Sequence, residues 1–419
     1  MEKKGTVEEM TEPEISLYVY GLFPNNEVIE IGRLLSRNLH SRLQFEGFFR
    51  YSPSYLQHPL AYAIDPVHLP LDSQTFSANN KETGIHQVFD DSLPDAWGRH
   101  ILARRGALDH SRYAPAHLLA VLGGSGLGRL LYSPQEKTPA PVDGSIPFSD
   151  IAKAIDEAGK LEDSFDTETA ELQHLLACGS SAGGARPKVL TLKDNTHWIA
   201  KFSSRRDIHP TLMIALEEAG LTLARNGGLD VPEFCRVLAG DRDVLLIKRF
   251  DIVPRGGRNG LVSMRTLIGT EDHYSVSYAD LAGIIRSLSH QVQKDLEHLL
   301  RQMVVNVLLV NTDDHLQNFA MLHTAEGWRL SPAYDIVPNI HQTGQILQVN
   351  GKHTNIESKD IIREGTTFGL SYQKSKAILK DVCGRVGDWS QVFTEKDVPL
   401  AHTGKLKAEI TQRFQQLSL

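Results

Sequence analysis

The stretch Asn306-Val-Leu-Leu-Val-Asn-Thr-Asp-Asp-His-Leu-Gln-Asn318 decides how this chain is read, because an apolar run empties there into carboxylates, an imidazole and carboxamides. Ahead of it, apolar residues recur at helical spacing through Leu296, Leu299, Leu300, Met303, Val304, Val307 and Leu308, which predicts a buried helix ending near Val310. Polar groups anchored to a core by such a helix are costly unless something satisfies them. Asp313 followed by Asn318 has the order and spacing in which a kinase catalytic loop sets its base and a metal-binding carboxamide. Ser331-Pro-Ala-Tyr-Asp335 then offers a further carboxylate after a turn, where a second magnesium ligand is needed. Read alone, the loop is equally compatible with a helix end closed by an Asx turn.

Upstream lie the other parts such a site requires. Gly179-Ser-Ser-Ala-Gly-Gly-Ala-Arg-Pro-Lys188 precedes strands predicted over 189–192 and 198–202, and Lys201 sits in the second. Small residues let backbone N–H groups approach an anion closely, and a strand lysine behind them can pin phosphates. The plain alternative for Lys201 is an edge-strand lysine reaching solvent. A helix follows over 210–225, stopped by Gly227-Gly228; Glu217 or Glu218 on it could pair with Lys201, although two solvent-facing acids are the plainer expectation. Val244–Asp251 reads as a strand leaving into a Pro/Gly-rich turn, where a hinge between lobes would lie. An earlier glycine cluster, 123–128, lacks the Gly-Lys-Ser/Thr end of a Walker loop and precedes a strand, so a tight structural turn is expected.

Toward the N-terminus, 1–14 reads as a mobile polar leader, and strands are expected at 15–20, 28–35 and 42–51 with a turn at Asn25-Asn26. Residues 59–89 read as loop. Ser92 as cap with Pro94 in the first turn predicts a helix running to Arg105, with Trp97 and Arg99 as easily structural as functional. Short helices are expected at 116–122, 151–159 and 168–178, and after Ser277 the pattern turns helical over 278–288, 294–310, 374–386 and 406–417. Strands early and helices late imply an α+β chain. Its 419 residues exceed one ordinary domain, and 41% hydrophobic with 23% charged residues are ordinary globular values. A net charge of −7 argues against general nucleic-acid coating. Cys178, Cys235 and Cys383 are isolated, so a reduced cytoplasmic setting with core thiols is expected. No stretch reaches the ~18 apolar residues of a membrane span.

Taken together, Leu93-Pro-Asp-Ala-Trp-Gly-Arg99, Ser181-Ala-Gly-Gly-Ala-Arg-Pro-Lys188, Lys201, Lys248-Arg-Phe-Asp251, Thr312–Asn318 and Ser331–Asp335 resemble the HipA family of serine/threonine kinases, the toxin half of HipBA toxin–antitoxin modules. The resemblance implies a two-lobed kinase-like fold: an N-terminal subdomain over 15–145, a nucleotide-binding lobe over 146–250 and a helical lobe over 251–419. It implies Asp313 as catalytic base and Asn318 with Asp335 as magnesium ligands. ATP would meet Ala182, Gly183, Gly184, Ala185, Arg186, Lys188 and Lys201, with Lys248, Arg249 and Phe250 at the adenine hinge and His315 bracing the loop. Ser181, with Ser180 adjacent, matches the autophosphorylation position whose modification ejects the glycine-rich loop. Two departures stand out: Lys248 replaces a usual Glu, and Arg186-Pro187 replaces Gln-Glu. The implied activity is ATP- and Mg²⁺-dependent phosphorylation of a protein such as an aminoacyl-tRNA synthetase, with a small helix-turn-helix antitoxin as partner and DNA reached only through it. The alternatives are a small-molecule kinase and a weakly active nucleotide-binding partner of a repressor.

Overall fold

The structure is a computed structural model that describes residues 14–38, 44–78, 82–108, 113–140, 144–163, 171–178, 187–205, 207, 209–270, 272–399 and 402–418. The N-terminal sheet contains β1 (Ile15–Leu22), β2 (Val28–Asn38), β3 (Phe45–Tyr51), β4 (Phe76–Ser77) and β5 (Leu130–Ser133), in the order β4-β3-β2-β1-β5. Asn26, with φ of 70°, makes the β1–β2 turn, a conformation asparagine tolerates better than most residues. Alternation then buries Leu17, Val19, Leu34, Phe49 and Tyr51 on one face, and a bulge opposite Val19 and Tyr20 brings Ile31 into the same core. Against β1 and β5 packs the helix Pro115–Leu122, and the helix Ala96–Arg105 packs on that helix. The helix Ala96–Arg105 starts later than Ser92 predicts: Asp95 holds the N-cap position, while Ser92 Oγ is 2.7 Å from the Tyr132 hydroxyl.

A second sheet holds β6 (Ile146–Pro147), β7 (Lys188–Lys193), β8 (Thr196–Phe202), β9 (Phe234–Ala239) and β10 (Arg242–Lys248), in the order β6-β7-β8-β10-β9. Lys201 therefore lies on a central strand, between β7 and β10, and not on an edge. The helix Ile151–Asp163 and the short helix Gln173–Cys178 cover one face, and the helix Pro210–Asn226 packs against β9 and β10. A third sheet, β11 (Gly260–Ser263), β12 (Ala320–His323) and β13 (Trp328–Leu330), sits beside the C-terminal helices Tyr278–Leu288, Val292–Leu308, Ser358–Thr367, Tyr372–Arg385, Trp389–Glu395 and Gly404–Leu417. The strand β13 and the helix at 389–395 escaped the sequence reading because each is too short to show a period, and the helix at 358–367 because Ile361 and Ile362 alone mark its apolar face.

The glycine cluster at 123–128 is a clamp between the N-terminal sheet and the rest of the chain. Gly123 and Gly128 have φ of 58° and 72°, open to glycine at little cost. The carbonyls of Gly124, Gly126 and Gly128 accept from Arg258, Gly126 O also accepts from Arg249, and Gly128 N–H donates to Asp251. A loop that presents carbonyls to guanidinium groups is the reverse of a phosphate cradle, which presents N–H groups.

Candidate active site

The helix Val292–Leu308 brings the central motif to its place. Leu296, Leu299, Leu300, Met303, Val304, Val307 and Leu308 are all at most 3% exposed, and each such side chain contributes roughly 1.5–3 kcal/mol of burial. Val310, at φ of 58°, breaks the helix, and Asn311 to Asn318 turn outward to form the loop. Asp313 is exposed at the loop tip, its carboxylate 63% accessible and 3.7 Å from His315 Nε2. Asn318 Nδ2 donates to the Asp313 carbonyl at 2.7 Å, which ties the two ends of the motif together. His315 Nδ1 accepts from the Gln317 amide at 3.3 Å within the loop.

Asp335 comes to the same place from the other side. Its φ of 56° turns the carboxylate back toward β8, and its Oδ1 is 2.6 Å from Lys201 Nζ. The same nitrogen is 2.5 Å from Glu217 Oε1 on the helix Pro210–Asn226. Sequence alone favoured solvent-facing acids on that helix; the structure buries both, Glu217 on Lys201 and Glu218 on Lys396 at 2.7 Å. The reason is that this helix packs against β9 and β10 and reaches Lys201 of the adjacent β8 through Glu217, so the acid opposite Lys201 is enclosed by tertiary contact that no local period reveals. Burial by itself would push Lys201 down, but the Asp335 and Glu217 carboxylates more than offset it and hold the ammonium charged. Burial likewise works against ionised Asp335, and the Lys201 and Lys188 charges overcome it, holding that carboxyl well below the usual range.

Lys188 of β7 is the register partner of Lys201, so the two lysines stand side by side on one face. Burial and the neighbouring Lys201 charge bring Lys188 down to about 8. Asp95, from the Leu93–Arg99 motif, faces Lys188 and Asp335 electrostatically, and burial raises its carboxyl. His315 also lies within the field of Asp335. The Tyr334 hydroxyl donates to Gln317 O at 2.8 Å, joining the turn before Asp335 to the loop that carries Asp313.

The hinge differs from what the motif implied. Arg249 is buried in a bidentate pair with Asp251, at 2.7 and 3.1 Å, and serves the glycine clamp. Lys248 reaches Glu233 at the surface, and the Lys248 and Arg249 amides are held by Glu233 O and His197 O. Alternation along the strand end thus turns Arg249 and Asp251 away from the site, while Phe250 faces Tyr334 at 5.7 Å between ring centres. Of the three hinge residues, only Phe250 is shown directed at the loop side. Ser180, Ser181, Ala182, Gly183, Gly184, Ala185 and Arg186 lie outside the described residues.

Residues 29–133 match the HipA N-terminal domain and residues 180–390 match the HipA-like C-terminal domain. This chain belongs to the HipA family. Among curated relatives it is 27% identical over 273 residues to a Sinorhizobium fredii protein named putative kinase Y4dM, spanning 61% of this chain and 63% of that one. A second protein of the same organism, putative kinase Y4mE, is 24% identical over 331 residues, 74% of this chain and 76% of its own length. Among solved structures, the HipA chain of a Shewanella oneidensis HipA, HipB and operator DNA complex superposes with a TM-score of 0.65 over 95% of both chains, at 16% identity. The HipA-like fold expected from the motifs is therefore present. Among the described residues no helix is long and apolar enough to cross a membrane.

Proposed function

We propose that this HipA-family chain is an ATP- and Mg²⁺-dependent serine/threonine-protein kinase of the toxin type. The observation that carries the reading is Lys201, held at 2.5 and 2.6 Å between Glu217 and Asp335 beside the loop of Asp313 and Asn318. A strand lysine fixed by a helix glutamate and facing a metal-binding aspartate is the arrangement that phosphoryl transfer requires. Asn318 uses its NH₂ on Asp313 O, so its oxygen is the atom left to act as a ligand, and Asp335 supplies a carboxylate already ionised. Few protein oxygens suit magnesium, which keeps phosphate oxygens and water as its other ligands, and among the described residues no larger His/Cys/Asp/Glu cluster exists. A magnesium ion held by Asn318 and Asp335 would supply positive charge against the negative charge that develops on transfer.

In this reading Lys201 and Lys188 receive the phosphates, and Asp313 orients the substrate hydroxyl and accepts its proton. The 63% exposure of Asp313 suits a base that must meet a hydroxyl on another protein. Substrates of this class include aminoacyl-tRNA synthetases, and Ser181 or Ser180 is the position for autophosphorylation. A HipB-like antitoxin is the proposed partner, linking the chain to DNA only indirectly. Transfer from γ-labelled ATP tests the assignment. Asp313→Asn, at unchanged thermal stability, and Asp335→Asn, which keeps a residue type that tolerates a left-handed φ but loses the ion pair with Lys201 and so some stability, should each lower transfer by at least about 10²-fold. Full activity in both variants would refute the assigned roles.

A further inference from the structure

Beyond the residues that face the nucleotide, the second aspartate of the motif has an occupation of its own. Asp314 is 1% exposed and points into the protein, opposite to its neighbour Asp313. Its Oδ2 accepts from the Tyr278 hydroxyl at 2.7 Å and from Gln345 Nε2 at 3.1 Å, and its Oδ1 accepts from the Ile346 amide at 2.7 Å. Gln345, equally buried, also donates from Nε2 to the Asn311 carbonyl at 2.9 Å. One carboxamide thus holds both the first residue of the loop and the residue beside the base.

The oxygen of that same carboxamide is held from behind. Arg413, on the helix Gly404–Leu417, donates from Nη1 to Gln345 Oε1 at 3.1 Å and to Val307 O at 2.9 Å, and from Nη2 to Thr343 O. Glu409 fixes its Nε at 2.9 Å. Val307 O is one of the last carbonyls of the helix Val292–Leu308 and receives from the backbone beyond it a long 3.4 Å bond from Val310 N–H, so a cation suits this position on two counts. A cavity of about 140 Å³, lined by Thr343, Thr354, Asn355, Gln412 and Arg413, opens to solvent behind the guanidinium. Arg413 therefore stands between water and the Gln345 amide.

We propose that Arg413 and Gln345 are positioning residues that set the catalytic loop through Asp314, so that the last helix of the chain controls the placement of Asp313. This rests on the kinase reading for its consequence in activity, but not for its consequence in loop order. The distance involved makes the effect sharp: base catalysis needs the carboxylate within hydrogen-bond reach of the hydroxyl, and a 1 Å displacement is enough to cost on the order of 10²-fold. The nucleotide contacts of Lys201 and Lys188 lie on another sheet and should not feel it.

Arg413→Met and Gln345→Leu in the full-length chain test this with two independent readouts. Amide hydrogen exchange should speed up at residues 311–318 in both variants and stay unchanged in β1 to β3. The turnover number for phosphoryl transfer should fall 10- to 100-fold while the KM for ATP moves less than 2-fold, and the double variant should be no worse than Gln345→Leu alone. If Arg413 merely anchors the last helix, exchange will speed up at 404–417 with 311–318 still protected, and the proposal fails. Additive losses in the double variant would overturn the shared route through Asp314. Wild-type chain that transfers no phosphate would instead count against the kinase reading, leaving the exchange result to decide the clamp.

Discussion

Replacing Lys201 by methionine is the most informative perturbation of the site, because it removes the one cation that lies between two carboxylates. Each of Glu217 Oε1 and Asp335 Oδ1 is within 2.6 Å of Lys201 Nζ, so the two oxygens are at most about 5 Å apart. At an effective dielectric of about 20, two unit charges at that distance repel by roughly 3 kcal/mol, and removing one partner from a buried ionic cluster typically costs about 3–5 kcal/mol. An unfolding entropy of ~2.1 cal/mol/K per residue, taken over 419 residues, turns about 4 kcal/mol into a Tm decrease of roughly 4–5 °C at pH 8. The pH dependence follows from the direction of each shift. In the wild type, the depressed Asp335 carboxyl contributes stability that is present at neutral pH and lost as pH falls through the acid range. In Lys201→Met the two carboxylates raise each other, so that acidification protonates one of them in the folded state and restores stability. The Tm gap between the proteins should therefore narrow markedly from pH 8 to pH 5, measured by differential scanning fluorimetry at constant ionic strength. A gap that stays constant or widens on acidification would refute the claim that Lys201 neutralises both acids, and phosphoryl transfer retained in Lys201→Met would refute its role on the phosphates.

Three further outcomes follow from other groups. Lys188, brought down to about 8 by burial and by Lys201, loses its charge as pH rises through that value, so kcat/KM for ATP should decline above about pH 8, and Lys188→Met should abolish that limb; an identical alkaline limb in the variant would show that another group titrates. Burial holds His86 and His298 at about 4 and His323 at about 3, so the unfolded chain binds protons that the folded chain refuses below about pH 6.5. Each should remove about 1.4 kcal/mol of stability per pH unit on the way down toward 4, and His323→Phe, which keeps the ring that stacks on Tyr62, should lessen the slope by about one histidine's share in an acid titration followed by circular dichroism. Arg249→Ala leaves Asp251 buried with its main cation gone, so about 3–5 kcal/mol of stability and the proteolytic resistance of the junction at 123–128 should be lost, with KM for ATP little changed; a large KM effect would return Arg249 to the nucleotide site.

The motif from Asn306 to Asn318 was legible because its two halves carry opposite signals, a 3.6-residue apolar period and then a polar cluster, although the cluster alone fits a capped helix end equally well. The α+β order, the strand that carries Lys201, the tight turn at 123–128 and the kinase-like spacing of Asp313, Asn318 and Asp335 all come from such local regularities, and the motifs at these places carry the resemblance to the HipA family. What local pattern could not decide was direction across space. Glu217 and Glu218 have identical sequence surroundings, yet one meets Lys201 and the other Lys396, because the facing elements come from residues 16 and 178 positions away. Arg249 looked like a nucleotide contact until strand alternation and the glycine clamp turned it inward. Asp314, Gln345 and Arg413 meet over separations of 31 and 68 residues, and nothing near any of them in the chain announces the meeting. Secondary structure follows from neighbours in sequence, whereas a charge acquires its role from whatever tertiary packing places within about 3 Å of it.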